Sequence, residues 1–600
     1  MSTLRHHLTH LEQAGLIRAA AGPPELEYLF RHGLIQDATY STLLKQQRRT
    51  WHLAVGTVLE ALLPPAGAVD TAAALAPVLA QHFAVAGDDP RALRYFTQAA
   101  GAAFERYANA EAGDYYARAL ALAIGAGVPY DAEQVRRLAV RLGLTLEFRS
   151  QFEAALRHYE AMDALAHRHA DRALELAALL ERAKIYSTAN LSYDPERSRL
   201  LLEQAAPLAD SLGDHATEAR LYWTLMLQNT MRGGDPQERL AYGERSLAVA
   251  RELNLREQLA FTYQDLWFAY GSLGRWNQTR AVLLEAQRLW RELEHPVGQC
   301  EVALRLSLTA MLLGDYAESL SVAAEARQIA ESIHSLDMQA LSHAFVGLVH
   351  AEHGDYAQAI SLTEAALALG AATGNVTVLV GSQADLALAF GELGAPERGL
   401  PLAHAALALA ESQFPLLAAW PTAVVARLHL RRGQVEQAAA TLAALPPYQE
   451  LQRRAGFMAP MWLNVALAEG ELALAQGQAA RALSLMTELA GHLQAIGLRF
   501  RLPDVLHLKA QATLAQGRLA QARSDLQAAR LEAIALGSSR IHWRLLAALA
   551  ALETHTGQPD QAKIWRRQAL RIIESIAQKV PEGELRQLFL NQRDVKSVRP

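Results

Sequence analysis

The stretches Gly314-Asp315-Tyr316-Ala317-Glu318-Ser319 and Gly354-Asp355-Tyr356-Ala357-Gln358-Ala359 set down the same arrangement twice, 40 positions apart. The glycine recurs outward in both directions as Gly234, Gly274, Gly314, Gly354, Gly394, Gly433, Gly477, Gly517 and Gly557. Successive gaps are 40, 40, 40, 40, 39, 44, 40 and 40. A fixed period of this length marks a repeat architecture, in which each unit buries its apolar face only against its neighbours.

Strand-built blades share such a period, so the pattern inside the unit has to decide. Two residues after the glycine stands a bulky side chain (Trp276, Tyr316, Tyr356, Leu519). Five after it stands a small one (Thr279, Ser319, Ala359, Ala482, Ala522, Ala562), and twelve after it an alanine (Ala286, Ala326, Ala366, Ala406, Ala529, Ala569). Seven residues before the glycine the side chain is small again, in Ser307, Gly347, Ala387, Ala426, Gly470, Ala510 and Ala550. Two antiparallel helices joined by a short turn approach closely only where the crossing residues are small, and the bulky residue fills the space between units. The glycine supplies the left-handed geometry that ends the first helix. The predicted class is all-α.

This arrangement resembles the tetratricopeptide repeat over most of the chain. The resemblance implies a right-handed superhelical solenoid of antiparallel helix pairs with a concave binding face. The family's unit is usually about 34 residues, so a step of 40 implies lengthened helices or turns, as in the long-helix variety of bacterial signalling regulators. Degenerate copies open at Asp194-Pro195 and Asp235-Pro236, with Pro at a favourable first helical position, at Phe152 with Ala155, at Gly87 to Tyr95 and at Gly113 to Leu120. Irregularities are expected at Gly125 to Pro129 and at Pro446-Pro447, where the 44-residue gap lies.

The first sixty residues read differently. Leu4, Leu8 and Leu11 at helical spacing, Gly15, Leu16 to Arg18, a Gly22-Pro23-Pro24 turn and Leu26 to Phe30 predict helix, strand, turn, strand. An amphipathic stretch from Leu34 to Leu63 follows, carrying Asp37-Ala38-Thr39-Tyr40, Arg48-Arg49 and His52. This order resembles the back half of the winged-helix domain of signal-transduction (STAND/AAA-type) ATPases whose C-terminal arms are tetratricopeptide-like. Pro581-Glu582-Gly583-Glu584-Leu585-Arg586 with Phe589-Leu590 resembles that family's C-terminal helix. The family's P-loop domain would precede this segment, yet no Gly-x-x-x-x-Gly-Lys-[Ser/Thr] occurs and no Gly-Lys pair exists, so no phosphate cradle carries over. The chain therefore reads as complete at its end and cut at its beginning. The expected division is a partial winged helix at 1–65, degenerate repeats at 66–130, the array at 131–575 and a capping helix and tail at 576–600.

Composition limits the chemistry. Hydrophobic content of 51% with 20% charged residues argues against disorder. A formal charge of -5, and no basic run beyond Arg48-Arg49 or Arg453-Arg454, gives nucleic acid no electrostatic footprint. One cysteine, Cys300, excludes a disulfide framework or a cysteine metal cluster and fits a reducing, cytoplasmic compartment. No apolar stretch approaches the roughly 20 residues of a membrane span. His6, His7 and His10 share helical spacing, and His343, His350 and His353 lie on one first helix. His350-Ala-Glu-His353 is not a zincin pattern, and both sets read as structural or solvated histidines. No metal site, cofactor site or catalytic residue is predicted.

The expected site is the concave face. If the tetratricopeptide register holds, positions six and ten before each glycine line it: Gln228 and Thr224, Phe268 and Gln264, Leu308 and Leu304, Leu348 and Ala344, Arg427 and Ala423. Met231, Arg232, Trp420 and Arg431 fall on the same side. Such a mixture suits a protein or peptide partner, or a small effector, through stacking and bidentate hydrogen bonds. The leading expectation is a non-enzymatic interaction or sensor module relaying to an ATPase or output domain. The alternative is a transcription regulator whose helix Leu4 to Ala14, with Arg5, enters the major groove.

Overall fold

The computed structural model describes residues 2–21, 27–63, 69–188, 190–581 and 583–599 of the 600-residue chain, without the side chains of 2, 3, 5, 21 and 69–73. The expected Gly22-Pro23-Pro24 turn and Glu582 lie outside the described residues, as does the Arg5 side chain. The chain forms two compact units, Met1–Arg149 and Ser150–Pro600.

In the first unit, helix Ser2–Gln13 precedes an antiparallel hairpin of strands Ile17–Ala21 and Glu27–Phe30, with Ile17 opposite Phe30. The amphipathic stretch from Leu34 is interrupted: it forms Gly33–Thr42 and Lys45–Ala61, because the Leu44 N–H donates to the Gln47 side chain at 2.9 Å and starts a second helix. Helices Val69–Ala86, Asp89–Glu105, Asn109–Ala123 and Ala132–Phe148 complete the unit. Gly56 allows helix Lys45–Ala61 to lie on Phe83, whose ring would sit 3.1 Å from any Cβ there.

The second unit is a tetratricopeptide-like solenoid of antiparallel helix pairs, and the glycine, aspartate, tyrosine and closing small residue of the quoted hexapeptide each have a mechanical role. Gly314 and Gly354 adopt φ of +87° and +75° and end the first helices Pro296–Leu313 and Leu336–Glu352. Asp315 and Asp355 then cap the second helices by accepting the backbone N–H of Glu318 and Gln358. Tyr316, Tyr356 and Trp276 follow and are buried between units, each contributing roughly 1.5–3 kcal/mol of hydrophobic stabilisation. At the crossing the Ser307 hydroxyl donates to the Ser319 carbonyl at 3.0 Å. A Cβ on Gly399 would stand 2.6 Å from the Ala387 carbonyl oxygen. The small residues before and after the turn therefore touch each other.

At the first copy the register differs by one residue. Gly233, with φ of +67°, is the left-handed residue, and Gly234 follows it against the Asn229 amide. Around Pro446-Pro447 the second helix is cut to Val435–Leu442 and a further short helix, Tyr448–Ala455, is inserted before Ala459–Ala475.

First and second helices differ in surroundings. Val376–Glu392 has no exposed residue, whereas Trp276–Glu292 exposes one polar face, so the first helices form an inner ring and the second helices an outer one. Gly274 meets Ile496, Gly314 meets Leu536 and Gly354 meets Ile576, in each case 222 positions onward by subtraction. One superhelical turn thus takes about five and a half 40-residue units, and successive turns touch. A ring of five to six helices spaced roughly 10 Å apart leaves a lumen only about 8 Å across.

Candidate functional site

Inside the second unit, the end of one superhelical turn meets the start of the next through charge. Glu352, the last residue of helix Leu336–Glu352, accepts from Arg540 (Nε to Oε1, 3.1 Å; Nη2 to Oε2, 3.3 Å), from the Ser538 hydroxyl at 2.8 Å and from Arg501 Nη1 at 3.1 Å. Arg540 also donates to Asp504 Oδ2 at 2.6 Å. One unit on, Glu392 takes Arg431 at 2.5 Å and Arg544 at 3.0 Å. Arg427 forms a fork on Glu471, with Nη2 to Oε1 at 2.8 Å, and donates to Asn464 Oδ1 at 2.8 Å.

Such burial is costly unless each charge is paired and hydrogen-bonded. Burial pushes the Glu392 and Asp504 carboxyls up, but the surrounding guanidiniums outweigh it. Arg431 and Arg544 hold Glu392 well below the ordinary carboxylate range, and Arg540 and Arg501 lower Asp504. Asp385 behaves oppositely: burial dominates, Arg501 opposes it weakly, and its pKa is raised to about 7. Burial lowers His507 to about 4.

Asp385, Arg427, Arg501, Arg540, Glu392 and Tyr356 line a narrow cavity whose apolar walls are Leu348, Leu388, Ala351, Ala359 and Ala389. Its volume is about 30 Å³, room for a water or two. Arg501 is also a non-glycine residue at φ of +62°, ending the five-residue link Gly497–Arg501, where the Arg499 and Phe500 N–H groups both donate to the Leu312 carbonyl at 3.0 Å.

The residues expected on the concave face separate into several environments. Thr224, Gln228, Gln264, Leu304, Leu348, Trp420, Ala423 and Arg427 are buried; Met231, Phe268, Leu308 and Ala344 are partly buried; Arg232 and Arg431 are exposed as residues, although the Arg431 side chain itself is only 26% exposed. Arg427 and Arg431 belong to the charged interior. Gln264 accepts from Trp290 Nε1 at 2.9 Å and donates to Glu301 at 2.5 Å, while Phe268 packs on Phe457 with ring centroids 4.9 Å apart. Thr224 bonds back to the Arg220 carbonyl. The Met231 carbonyl accepts from the Tyr193 hydroxyl, and Arg232 pairs with Glu238 at 3.6 Å. Trp420 lies against Gly381, and Leu304 packs with Cys300 and Ala326.

Sequence reading missed Glu352, Glu392, Asp385, Arg501, Asp504, Arg540 and Arg544. One signal was present: two positions before the glycine stand Arg232, Ser272, Glu352, Glu392, Arg431 and His555, where the other copies carry Leu312, Ala475 or Ala515. Among the described residues no group of three His, Cys, Asp or Glu side chains is arranged to hold a metal ion. Among them, too, no helix is long and apolar enough to cross a membrane.

No protein-family model matches the chain, and no curated protein matches it. Among solved structures it is similar to a signal transduction ATPase with numerous domains (STAND) carrying a tetratricopeptide repeat sensor, from Pyrococcus horikoshii. Identity is 15%, over 73% of this chain and 57% of that one, with a TM-score of 0.41. It is similar to a Rap protein complexed with Competence and Sporulation Factor (13% identity, 68% of this chain, 99% of that one, TM-score 0.40). It is also similar to the APC/C hetero-tetramer Cut9-Hcn1 (14% identity, 94% of this chain, 98% of that one, TM-score 0.33). The chain spans 57% of the length of the STAND protein.

Proposed function

We propose that this chain is a non-catalytic interaction and sensor module. In this reading a peptide, protein segment or small effector is taken on the inner face of the superhelix, and the event is relayed to a signalling ATPase or output domain as a change of winding. The observation that carries it is the clasp of Glu352 by Arg540, Arg501 and Ser538. It closes one turn on the next while the expected inner-face positions from Gln264 to Arg427 are buried or partly buried. A partner larger than the lumen reaches that face only when the turns part, so binding and winding are coupled. Such coupling works through differential affinity for two states, and a weakened clasp raises the binding-competent fraction.

The test is selection of random peptides against the full chain, followed by titration of two variants. Glu352→Gln, which weakens the clasp, is expected to tighten binding, and Phe268→Ala, which removes an inner-face ring, to weaken it. Selected peptides indifferent to both changes would overturn the reading.

A further inference from the structure

We propose that helix Lys45–Ala61 in the first unit is a dimerisation face, which pairs antiparallel with the same helix of a second copy of this chain.

Trp51, Val55 and Val58 follow one another at steps of four and three, and Leu62, which closes the helix, comes four later. At 3.6 residues per turn the four lie within about 60° of one another, the narrow seam of a helix that pairs with a helix. The opposite face is the one this unit uses. There Gly56 is buried against the Phe83 ring and His82, and Glu60 accepts from Arg91 at 3.2 Å and from the Tyr95 hydroxyl at 2.6 Å. The seam is left in solvent, with Trp51 63%, Val55 41%, Val58 60% and Leu62 71% exposed. Six large apolar side chains are exposed between positions 44 and 62, against nine among the described residues of the whole second unit. Scattered apolar residues are ordinary on a surface, but a contiguous row marks an interface.

Shape selects a second copy as the occupant. The spacing of four, three and four reads the same in both directions, so an antiparallel copy sets Trp51 opposite Leu62 and Val55 opposite Val58, an isologous contact in which the patch is its own complement. The small valines then stand where the two helices cross and approach most closely. The larger Trp51 and Leu62 fill the ends, where the helices diverge. The four side chains expose on the order of 500 Å² per copy, about 1,000 Å² for a pair, the lower limit of a specific interface.

Charge selects the same occupant. Arg48 Nε donates to the Leu43 carbonyl at 3.0 Å and its guanidinium lies over the Tyr40 ring, while Arg49 reaches Gly87, so the helix directs little charge at an acidic partner. Antiparallel order keeps the basic ends, Lys45 to Arg49, more than about 20 Å apart, beyond the Debye length of physiological salt. Parallel order would set them side by side.

The test is sedimentation of the full chain from about 1 to 100 μM, the range in which a weak interface of this size dissociates. The mean mass is expected to rise with concentration toward that of two chains. Val58→Asp, at the crossing and in solvent within its own unit, should weaken association by at least about tenfold with an unchanged circular dichroism spectrum. Leu531→Asp, exposed in the second unit, should leave association as it is. Orientation is read by mixing Trp51→Cys and Leu62→Cys chains under mild oxidation: the two should cross-link with each other and neither with itself. A chain that stays monomeric throughout would overturn the proposal, as would association unaltered by Val58→Asp. Trp51→Cys chains that cross-link only with themselves would overturn the antiparallel pairing. Should Val58→Asp fail to fold, the cross-linking decides.

Discussion

Arg540 and Glu352, 188 positions apart in sequence, meet in a two-point ion pair at 3.1 and 3.3 Å, and each side chain is only 3% exposed. The pair joins two superhelical turns. Removing one partner leaves the other charge buried and incompletely paired, which costs about 3–5 kcal/mol.

Arg540→Ala is accordingly expected to lower unfolding stability by about 3–5 kcal/mol. Lys563→Ala, which breaks the exposed pair with Asp560 on the outer ring, should fall within about 0.5 kcal/mol of the parent chain. Urea unfolding of the two variants measures the contrast, and equal midpoints would mean that the turns are not held together through this clasp.

The repeat glycines share a left-handed backbone but differ in what surrounds them. A Cβ at Gly314 would lie 2.4 Å from Leu536 Cδ2, across the junction between turns, whereas a Cβ at Gly517 would meet nothing within 4 Å. Gly517→Ala should show only the backbone term, roughly 1–2 kcal/mol. Gly314→Ala should add an overpacking term of roughly 1–3 kcal/mol. Thermal unfolding that ranks the two alike would contradict the stacking of turns.

The contrast marks what was legible in the sequence. Contacts inside a unit are local, so Gly314, Asp315, Tyr316 and the Ser307/Ser319 pair declare themselves by period, and the solenoid follows from them. Contacts between turns join residues about 190 to 220 positions apart, and no short-range pattern records which Glu meets which Arg. Positions six and ten before the glycine could be named by register, but their burial was not legible, because it depends on how many units close one turn. Polar residues two before the glycine, Glu352 and Glu392, carried a faint trace of the clasp. Arg501 left no trace, since it sits in a link of irregular length.

Helix crossings inside the unit give a sharper test of register. Gly347 packs against helix Tyr356–Thr373, where a Cβ would stand 2.9 Å from Thr363 Oγ1, and Ala387 is fully buried beside Gly399. Gly347→Leu or Ala387→Leu should each cost roughly 1–3 kcal/mol by overpacking. Leu531→Ala, on an exposed outer-ring position, should change stability by less than about 0.5 kcal/mol. Unaltered thermal unfolding of the first two would place the crossing elsewhere.

Asp385 makes stability depend on pH in a direction opposite to that of a paired carboxylate. Its pKa rises from 3.8 unfolded to about 7 folded, so between those values the folded chain holds a proton that the unfolded chain releases. The contribution is fully present below about pH 4 and is lost as pH rises through 7. Glu469, raised to about 7 chiefly by burial, adds to the same slope. His507, lowered from 6.5 to about 4, acts against it: the unfolded chain takes up the proton in that window, so stability is lost as pH falls below 6.5. The parent profile mixes these with other shifted groups, among them Glu301, Glu392, Asp504 and several buried histidines, and the difference between parent and Asp385→Asn isolates one. The substitution should be near neutral at pH 4.5 and stabilising, on the order of a few kcal/mol at most, at pH 8.5. Denaturant midpoints at the two pH values measure it. An equal difference at both would mean that Asp385 does not hold its proton in the folded chain.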